Sequence, residues 1–553
     1  MAIQSTMMNY ALTPVHFLER AGRYFPKVEL VSMLPDRTEH RTTYGAFYRR
    51  ARALAAGLQR AGLKRGDRVA TLMWNHYAHL EAYFGIPAAG GVIHPLNLRL
   101  HLDDIVYIAR HAEDRFLIVD DALLDLAGQL RGQLDFERVF VVPLAGRDVP
   151  AGYDDYEALL KDAPADFTYP DFDENEALGM CYTSGTTGRP RGVVYSHRST
   201  VIHTYNVTLL GGMAITHRDV VCACVPMFHV NAWGMPYGCT MAGAKQVFLG
   251  PHLDPRTILD TFEREQVTCS SGVPTIWLAV LDALDKEPQR WRLSPELRLV
   301  IGGSAAPEAM IRGFDRHGVT VLHAWGMTET SPTCTLAPLK HGLEDLPEDE
   351  RYAYRAKQGY PHPFVELRVR SGLGDVAPDG QTMGEIQVRG PYVTARYYRM
   401  EPDAEKFTAD GWLRTGDVAV IDDEGYIKIT DRTKDLIKSG GEWISSVDLE
   451  NEIMGHPAVA EAAVIAVPDP RWDERPLAAI VLKPGASATA EEINHFLEGK
   501  FAKWWLPEQY AFIDEIPRTS TGKFLKSALR ERFKDNHAAG LIRLKREAAR
   551  PGK

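Results

Sequence analysis

Short apolar runs of strand length alternate with helical patterns through most of this chain, and that alternation restricts it to a small set of architectures. Arg68-Val-Ala-Thr-Leu-Met73 reads as a buried strand, followed by a helix through Tyr77 to Phe84. Upstream, Tyr44, Phe47, Ala51, Leu54, Ala55 and Leu58 recur at helical spacing. Gly90 to His94, Arg115 to Val119, Phe140 to Val142, Val220 to Val225, Lys245 to Leu249 and Leu297 to Ile301 read as further strands. Asp254 to Glu265 and Pro274 to Asp285 read as helices. Strands alternating with helices predict an α/β fold with a largely parallel sheet.

Two changes of texture divide the chain. From residue 365 to 387 short strands (Glu366 to Val369, Glu385 to Val388) are separated by Gly, Asp and Pro, which predicts a small antiparallel or barrel-like layer closing a large domain. Within it, Gly372-Leu-Gly374-Asp-Val-Ala377 fits the dinucleotide pattern G-x-G-x-x-A. Pro378-Asp379-Gly380 follows where a helix is required, so the segment reads as a turn. The second change lies at Thr430 to Asp435 and predicts a large N-terminal domain over 1–432 and a small, mobile α+β domain over 433–553. In the small domain Asp448 to Met454 and Ala490 to Glu498 are helical, and Ala462 to Ala466 and Ala478 to Leu482 are strands.

A length of 553 residues is too great for one ordinary core. The net charge of −10 is spread along the chain, so no basic face points to nucleic acid. The basic stretch from Leu541 to Lys553 reads as a frayed end. The six cysteines (Cys181, Cys222, Cys224, Cys239, Cys269, Cys334) include no C-x-x-C pair and predict reduced core thiols. The start lacks the basic and apolar regions of a signal peptide, and no apolar run is long enough to cross a bilayer. A cytoplasmic protein without stable membrane insertion is expected, with peripheral contact at a membrane surface left open.

The stretch Tyr182-Thr-Ser-Gly-Thr-Thr-Gly188-Arg-Pro-Arg191-Gly192 follows an apolar strand and packs four Ser/Thr hydroxyls, three glycines and two arginines into eleven residues. Glycine lets backbone N–H groups approach a ligand, hydroxyls donate hydrogen bonds and arginine neutralises charge, a combination suited to a polyphosphate. It is not a Walker A loop, because no Gly-Lys-Ser/Thr follows the glycines. The same composition fits a polar surface loop, and the rest of the chain decides between the two.

Five further blocks decide it: Trp325-Gly326-Met327-Thr328-Glu329-Thr330, Tyr398, Arg414-Thr415-Gly416-Asp417, Asp431-Arg432-Thr433-Lys434 and Pro517-Arg-Thr-Ser-Thr-Gly522-Lys523. In this order they resemble the acyl-adenylate-forming superfamily over nearly the whole chain. Val225 to Trp233, Ser439 to Trp443 and Phe501 to Trp505 are most similar to bacterial medium- and long-chain fatty acyl-CoA synthetases. The resemblance implies ATP, Mg²⁺ and coenzyme A as reactants. A carboxylate is a poor electrophile. Its attack on the α-phosphorus of ATP gives acyl-AMP and pyrophosphate, and a thiol then displaces AMP. Cations and N–H donors must offset the repulsion between two anions in the first step.

The resemblance also implies residue roles. Thr183, Ser184, Gly185, Thr186, Thr187 and Gly188 would wrap the β- and γ-phosphates together with Arg191. Thr328 would contact the α-phosphate, Glu329 and Thr183 would hold Mg²⁺, and Trp325 would lie against adenine. Gly303, Ser304, Ala305, His323, Ala324, Gly326, Met327 and Ile429 would complete the nucleotide site, with Asp417 on the ribose, Arg432 beside it and Lys438 near the nucleotide. Lys523 would bridge the acyl oxygen and the α-phosphate, which makes Lys523, Glu329 and Thr183 the catalytic candidates. Lys434 would be the hinge about which the small domain rotates, bringing Lys438, Gly440, Gly441, Glu442 and Trp443 towards coenzyme A in the second step.

His229, Trp233, Val273, Trp277, Gly302 and Gly303, with Ala305 and Ala306, are the candidates for the acyl pocket. Amino-acid-activating relatives carry an aspartate near Phe228-His229-Val230-Asn231, where this chain has no carboxylate, and no carrier domain follows. Both favour an apolar acid and free coenzyme A. The expected activity is a medium- to long-chain fatty acid:CoA ligase. The alternative is a ligase for methylthiopropionate or a branched or aryl acid, and a non-catalytic nucleotide sensor is the third class. Similar synthetases form homodimers, a matter the sequence leaves open.

Position 191 is arginine where the family usually has lysine, a planar fork in place of a point charge. Arg191→Lys is expected to keep ATP–pyrophosphate exchange within about tenfold of wild type, the effect of roughly 1.4 kcal/mol. Complete loss would show that the guanidinium has a geometric role of its own.

Overall fold

A computed structural model of the protein describes residues 2–161, 163, 166–183, 189–210, 213–439, 442–519, 523–534 and 541–544. The predicted alternation of strands and helices builds two large sheets. The first has seven strands in the order 154–155, 138–142, 114–120, 68–72, 92–95, 177–182 and 192–196, parallel except for the final pair. The second has nine, in the order 360–361, 333–336, 320–326, 298–301, 269–272, 220–223, 245–248, 29–33 and 39–43, parallel in the middle and antiparallel at both ends.

Helices Tyr44–Arg60 and Tyr77–Ala88 lie between the two sheets. One core cluster joins Leu54, Tyr83, Phe84 and Ile86 to Val69 and Ile93 of the first sheet and to Leu30 and Phe248 of the second. Every residue from Ala78 to Ala88 is buried, which explains why this helix carries no polar stripe. Gly85 permits the two helices to touch, because a Cβ there would lie 2.8 Å from Leu54 and 2.9 Å from the Ala51 carbonyl. Glu81, the charged residue in that buried run, is held by Arg50 (2.6 Å) and by the Tyr156 hydroxyl (2.8 Å), since a buried carboxylate needs such partners.

The region expected to be barrel-like is a five-stranded antiparallel sheet in the open order 374–375, 366–371, 384–389, 413–421 and 427–432. Its edge strands are not paired with each other among the described residues. The segment matching G-x-G-x-x-A is a tight turn, with Gly374 at φ 123° between two antiparallel strands, as its prolines and glycines require. A fourth sheet holds 442–444, 437–439, 473–482, 509–512 and 541–543, with 459–469 pairing along 473–482. The chain passes from the third sheet to the fourth between Arg432 and Ile437, around Lys434. The fold is thus a large N-terminal α/β unit followed by a small C-terminal one. All six cysteines are buried, and none is paired.

The expected strand over Val220 to Val225 stops at Ala223. Beyond it the chain runs into a tight turn in which Val230, Asn231, Ala232 and Trp233 have φ of 45°, 54°, 46° and 56°. Left-handed backbone costs about 1–2 kcal/mol per L-residue, so neighbouring packing fixes this turn. On the opposite side of the sheet order, the strand Thr320–Gly326 ends at a register shift between Trp325 and Gly326. A Cβ on Gly326 would lie 1.8 Å from the Pro332 carbonyl oxygen and 2.9 Å from Thr333 Cα, both backbone atoms. Gly326→Ala is therefore expected to lower unfolding free energy by at least about 1–3 kcal/mol in urea titration. An unchanged midpoint would mean that this turn relaxes freely.

Candidate active site

The glycine-rich loop springs from the strand Ala177–Tyr182 and returns as Gly192–Ser196. Its neck is tied twice: Thr183 N–H donates to the Arg191 carbonyl (2.9 Å), and Arg191 N–H donates to Thr183 Oγ1 (3.1 Å). Ser184, Gly185, Thr186, Thr187 and Gly188, the core of the expected phosphate loop, lie outside the described residues. The Arg191 guanidinium lies 5.1 Å from the centre of the Tyr397 ring, and its buried Nη1 has no protein acceptor among the described residues. A buried cationic donor without an acceptor suits an incoming phosphate.

Tyr397 in turn donates its hydroxyl hydrogen bond to Glu329 Oε1 (2.6 Å). Glu329 stands on the short turn Thr328–Thr330 directly after the strand Thr320–Gly326 and is buried. Thr394 N–H donates to the Glu329 carbonyl and the Tyr195 hydroxyl to the Thr328 carbonyl, both at 2.8 Å, so the turn is fixed from two sides. Among the described residues no group of three or more His, Cys, Asp or Glu forms a metal cage. A single carboxylate is nevertheless the usual protein share of a magnesium site whose other ligands are phosphates and water. Glu329 fits that part.

The floor is made by Gly302 and Gly303, immediately after the strand Arg298–Ile301. Gly303 has φ 86°, and a Cβ there would lie 3.2 Å from Val273 Cγ1 and 3.5 Å from Lys523 Cε. A Cβ on Gly302 would meet the Ala324 carbonyl at 3.1 Å and the Trp233 ring at 3.2 Å. The two glycines thus separate Lys523 from Val273 and Trp233. His323 braces the next turn: its Nε2 accepts from Ala306 N–H (3.2 Å), and its Nδ1–H donates to the Ala356 carbonyl (2.9 Å). Burial pulls its pKa to about 4, in keeping with a neutral ring. Ser304 is exposed and Ala305 half-buried on the same turn.

Trp325 packs with Val365 and Val388 in the core of the third sheet, and its Nε1–H donates to Asp417 Oδ2 (2.8 Å). Arg432 Nε lies 3.4 Å from Asp417 Oδ1, the two residues being paired across neighbouring strands. Met327, half-buried, bonds through its N–H to Thr330 Oγ1 (3.0 Å), and Ile429 N–H donates to Gln358 Oε1 (2.6 Å). Lys523 enters this group from the far end of the chain. Burial and the Arg432 guanidinium lower its pKa to about 8, against the opposing pull of Asp417 and Glu329. His229 is near enough to respond to Lys523, and burial together with that charge lowers it to about 3, leaving a neutral imidazole.

One part of the sequence expectation changes. Trp277 packs beside Phe262, Val280 and Leu281, whereas Trp233 packs with Val225, Val300 and Ala324. These clusters cover opposite faces of one sheet, because alternate residues of a strand point to opposite sides. Trp277 therefore belongs to the core behind the sheet, its ring edge 3.0 Å from where Gly272 would carry a Cβ. Lys438 and Trp443 pair in register, with the ammonium 5.1 Å from the ring, and Lys438 N–H donates to Glu474 (2.8 Å). Both contacts lie within the fourth sheet. Gly440 and Gly441 lie outside the described residues, as does the Glu442 side chain.

Sequence reasoning singled out Tyr398, whose N–H donates to the Gly192 carbonyl (2.8 Å), and passed over Tyr397, which holds Glu329. It also passed over Arg518, whose Nη1–H donates to Thr275 Oγ1 (2.8 Å) across from the small domain to the large one. The adjacent tyrosines were the available signal, but only the fold shows which one faces inward.

Known proteins share this fold. The AMP-binding enzyme family matches residues 17–398, and the AMP-binding enzyme C-terminal domain matches residues 448–523. A long-chain-fatty-acid–CoA ligase of Thermus thermophilus is 51% identical over 97% of this chain and 98% of its own length. A 3-methylmercaptopropionyl-CoA ligase of Ruegeria lacuscaerulensis is 43% identical over 96% of this chain and 98% of its own. The crystal structure of an anthranilate CoA ligase in complex with anthranoyl-AMP superposes with a TM-score of 0.85 at 25% identity, covering 96% of this chain and 98% of that one. With more than half of its length matched by one family and full-length relatives above 30% identity, this chain belongs to the AMP-binding enzymes.

Proposed function

We propose that this protein is an ATP-dependent fatty acid:CoA ligase that works through an acyl-adenylate. The observation that carries the reading is the convergence of Lys523, Glu329, Asp417 and Arg432 beside the Gly302–Gly303 floor, next to an apolar wall of Val273 and Trp233. In the first step a carboxylate oxygen attacks the α-phosphorus, the bond to the β-phosphate bridging oxygen breaks, and pyrophosphate leaves. Lys523 supplies positive charge where both anions meet, and Arg191 supplies it to the departing phosphates. Magnesium, held by Glu329 when bound, neutralises phosphate charge. In the second step the thiol of coenzyme A loses its proton, its sulfur attacks the acyl carbon, and AMP departs.

The small domain turns about Lys434 between the steps in this reading. Its support is the position of Lys434, an exposed residue between the last strand of the third sheet and the first of the fourth. The six unpaired thiols support a reducing compartment, and no described helix is long and apolar enough to cross a membrane.

The absence of any carboxylate from 228–231 and the small residues at 302, 303 and 305 support a medium- to long-chain acid. One observation favours a second reading. The Trp233 ring fills the space in front of Gly302 and is 6% exposed, so with the ring in this position the room suits a short acid such as a methylthio- or branched-chain one. Each buried CH₂ adds about 0.8 kcal/mol. A fatty acid ligase should therefore show kcat/KM rising by about tenfold per two carbons across a C4 to C18 series until the pocket is filled. A maximum at methylthiopropionate or isobutyrate would select the second reading.

Lys523 gives a sharper test. Lys523→Ala is expected to lower ATP–pyrophosphate exchange by at least about a hundredfold while supplied acyl-AMP is still converted to acyl-CoA near the wild-type rate. The acting form is the ammonium, and its free-enzyme pKa is about 8, so raising the pH removes the charge. The exchange kcat/KM should be flat below that pH and fall towards tenfold per unit above it. A profile that stays level to pH 9.5 would remove the ammonium from the step.

A further inference from the structure

The contacts that join the third sheet to the small domain lie on either side of Lys434. On the near side, the strand Ile427–Arg432 presents Lys428, Thr430 and Asp431 to the start of the helix Ser446–Met454. Lys428 pairs with Asp448 at 2.7 Å, and Ser445 Oγ donates to the Thr430 carbonyl. The Asp431 side chain is the buried member of this set, at 1% exposure. Its Oδ2 accepts from Ser446 N–H at 2.8 Å and its Oδ1 from Arg432 N–H at 2.7 Å.

On the far side, Lys526 closes the same junction. Its ammonium lies 2.6 Å from Glu450 Oε1 and 2.6 Å from Ser446 Oγ. Burial opposes its charge, but Glu450, Asp431 and Asp435 more than offset that and raise its pKa. Arg530 pairs with Asp435 nearby. Lys526 opens the helix Lys526–Arg532 and follows Lys523 by three residues, so whatever fixes Lys526 also fixes the path of Lys523.

If the chain turns about Lys434, these contacts fall into two classes. Lys526 with Glu450 and Asp435 with Arg530 lie wholly beyond the hinge and travel with the small domain. Lys428 with Asp448, Thr430 with Ser445, and Asp431 with Ser446 and Lys526 cross the hinge. Rotation breaks them, so they exist only in the orientation that brings Lys523 to Gly303. We propose that Asp431 is a positioning residue for adenylation: its buried carboxylate holds the start of the helix Ser446–Met454 and faces Lys526, locking the small domain where Lys523 reaches the reacting centre. This rests on the swinging-domain reading given above.

Asp431→Asn keeps the shape and one acceptor but removes the charge. It is expected to slow ATP–pyrophosphate exchange at least tenfold and to leave the conversion of supplied acyl-AMP and CoA to acyl-CoA equal to wild type or faster. Lys428→Met, which alters only the partly exposed pair, should shift the same ratio about threefold in the same direction, and it serves if Asp431→Asn does not fold. Equal loss in both half-reactions together with a lower thermal midpoint, or no loss in either, would overturn the assignment. Lys434→Pro in the same assays separates the two ideas, because fixing φ blocks a hinge. A lost thioester step in Lys434→Pro beside an even loss in Asp431→Asn would discard the latch and keep the swinging domain. A wild-type thioester step in Lys434→Pro would discard the swinging domain itself.

Discussion

An ammonium held out of water beside a guanidinium, with too little negative charge nearby to satisfy it, is the interaction on which the rest of this structure depends. Lys523 is depressed by burial and by Arg432, and Asp417, the carboxylate nearest that pair, is already engaged by Arg432 and Trp325. Arg191 adds a buried nitrogen with no acceptor among the described residues. Charges interact far more strongly in such a setting than in water, so a site short of anions favours whatever polyanion enters it. Glu329, steadied by Tyr397 and near enough to act on Lys523, is the carboxylate that would share a metal ion with that polyanion. The site is electrically incomplete in a way that a nucleotide triphosphate and a carboxylate would complete together.

The fold makes this placement possible by directing strand ends to one region. Thr183 follows the strand Ala177–Tyr182, Val273 follows Cys269–Gly272, Gly302 and Gly303 follow Arg298–Ile301, and Thr328 and Glu329 follow Thr320–Gly326. In parallel α/β sheets ligands bind beyond the carboxyl ends of strands, where backbone N–H groups leave the ladder. Glycine appears where these ends crowd together: at Gly326 the neighbouring backbone excludes a Cβ, and at Gly303 both the left-handed φ and the approach of Lys523 favour its absence. Two sheets and the helices buried between them therefore carry this handful of loop residues on their strand ends.

Much of this was legible in the sequence because it is written in local patterns. Strand and helix alternation, the glycine-rich turn after an apolar run and the ordered polar blocks each depend on neighbours in the chain. What was not legible depends on faces and on distance. Trp277 and Trp233 look alike in sequence, but the strands they pack against are buried on both sides, and a run apolar on both faces does not reveal which side is which. Tyr397 and Tyr398 differ by a half-turn of backbone direction that follows from the Tyr398 bond to Gly192. The strand expected to reach Val225 stops at Ala223 because four left-handed residues soon follow, and β-branched and aromatic residues give no warning of that. Asp431 reads as part of a motif with Arg432, yet its side chain serves the helix that begins fifteen residues later, beyond Lys434.

The character of the junction around Lys434 bears on how such a protein could change orientation without unfolding. The small domain has apolar clusters of its own, one built on Ile437, Ile444, Leu449, Val464, Ile480 and Ile493 and another on Ile465, Leu477 and Leu529. Neither includes a residue from before the hinge. Among the described residues the contacts that cross it include the polar pairs Asp431 with Ser446, Lys428 with Asp448, Ser445 with Thr430, and Arg518 with Thr275. Separating polar partners exchanges their hydrogen bonds for bonds to water at a net cost of only about 0.5–1.5 kcal/mol each, whereas exposing a core side chain such as Leu or Ile costs about 1.5–3 kcal/mol with no compensation. If the chain turns about Lys434, a junction built from a few hydrogen bonds and ion pairs would hold one orientation and release without disturbing either core.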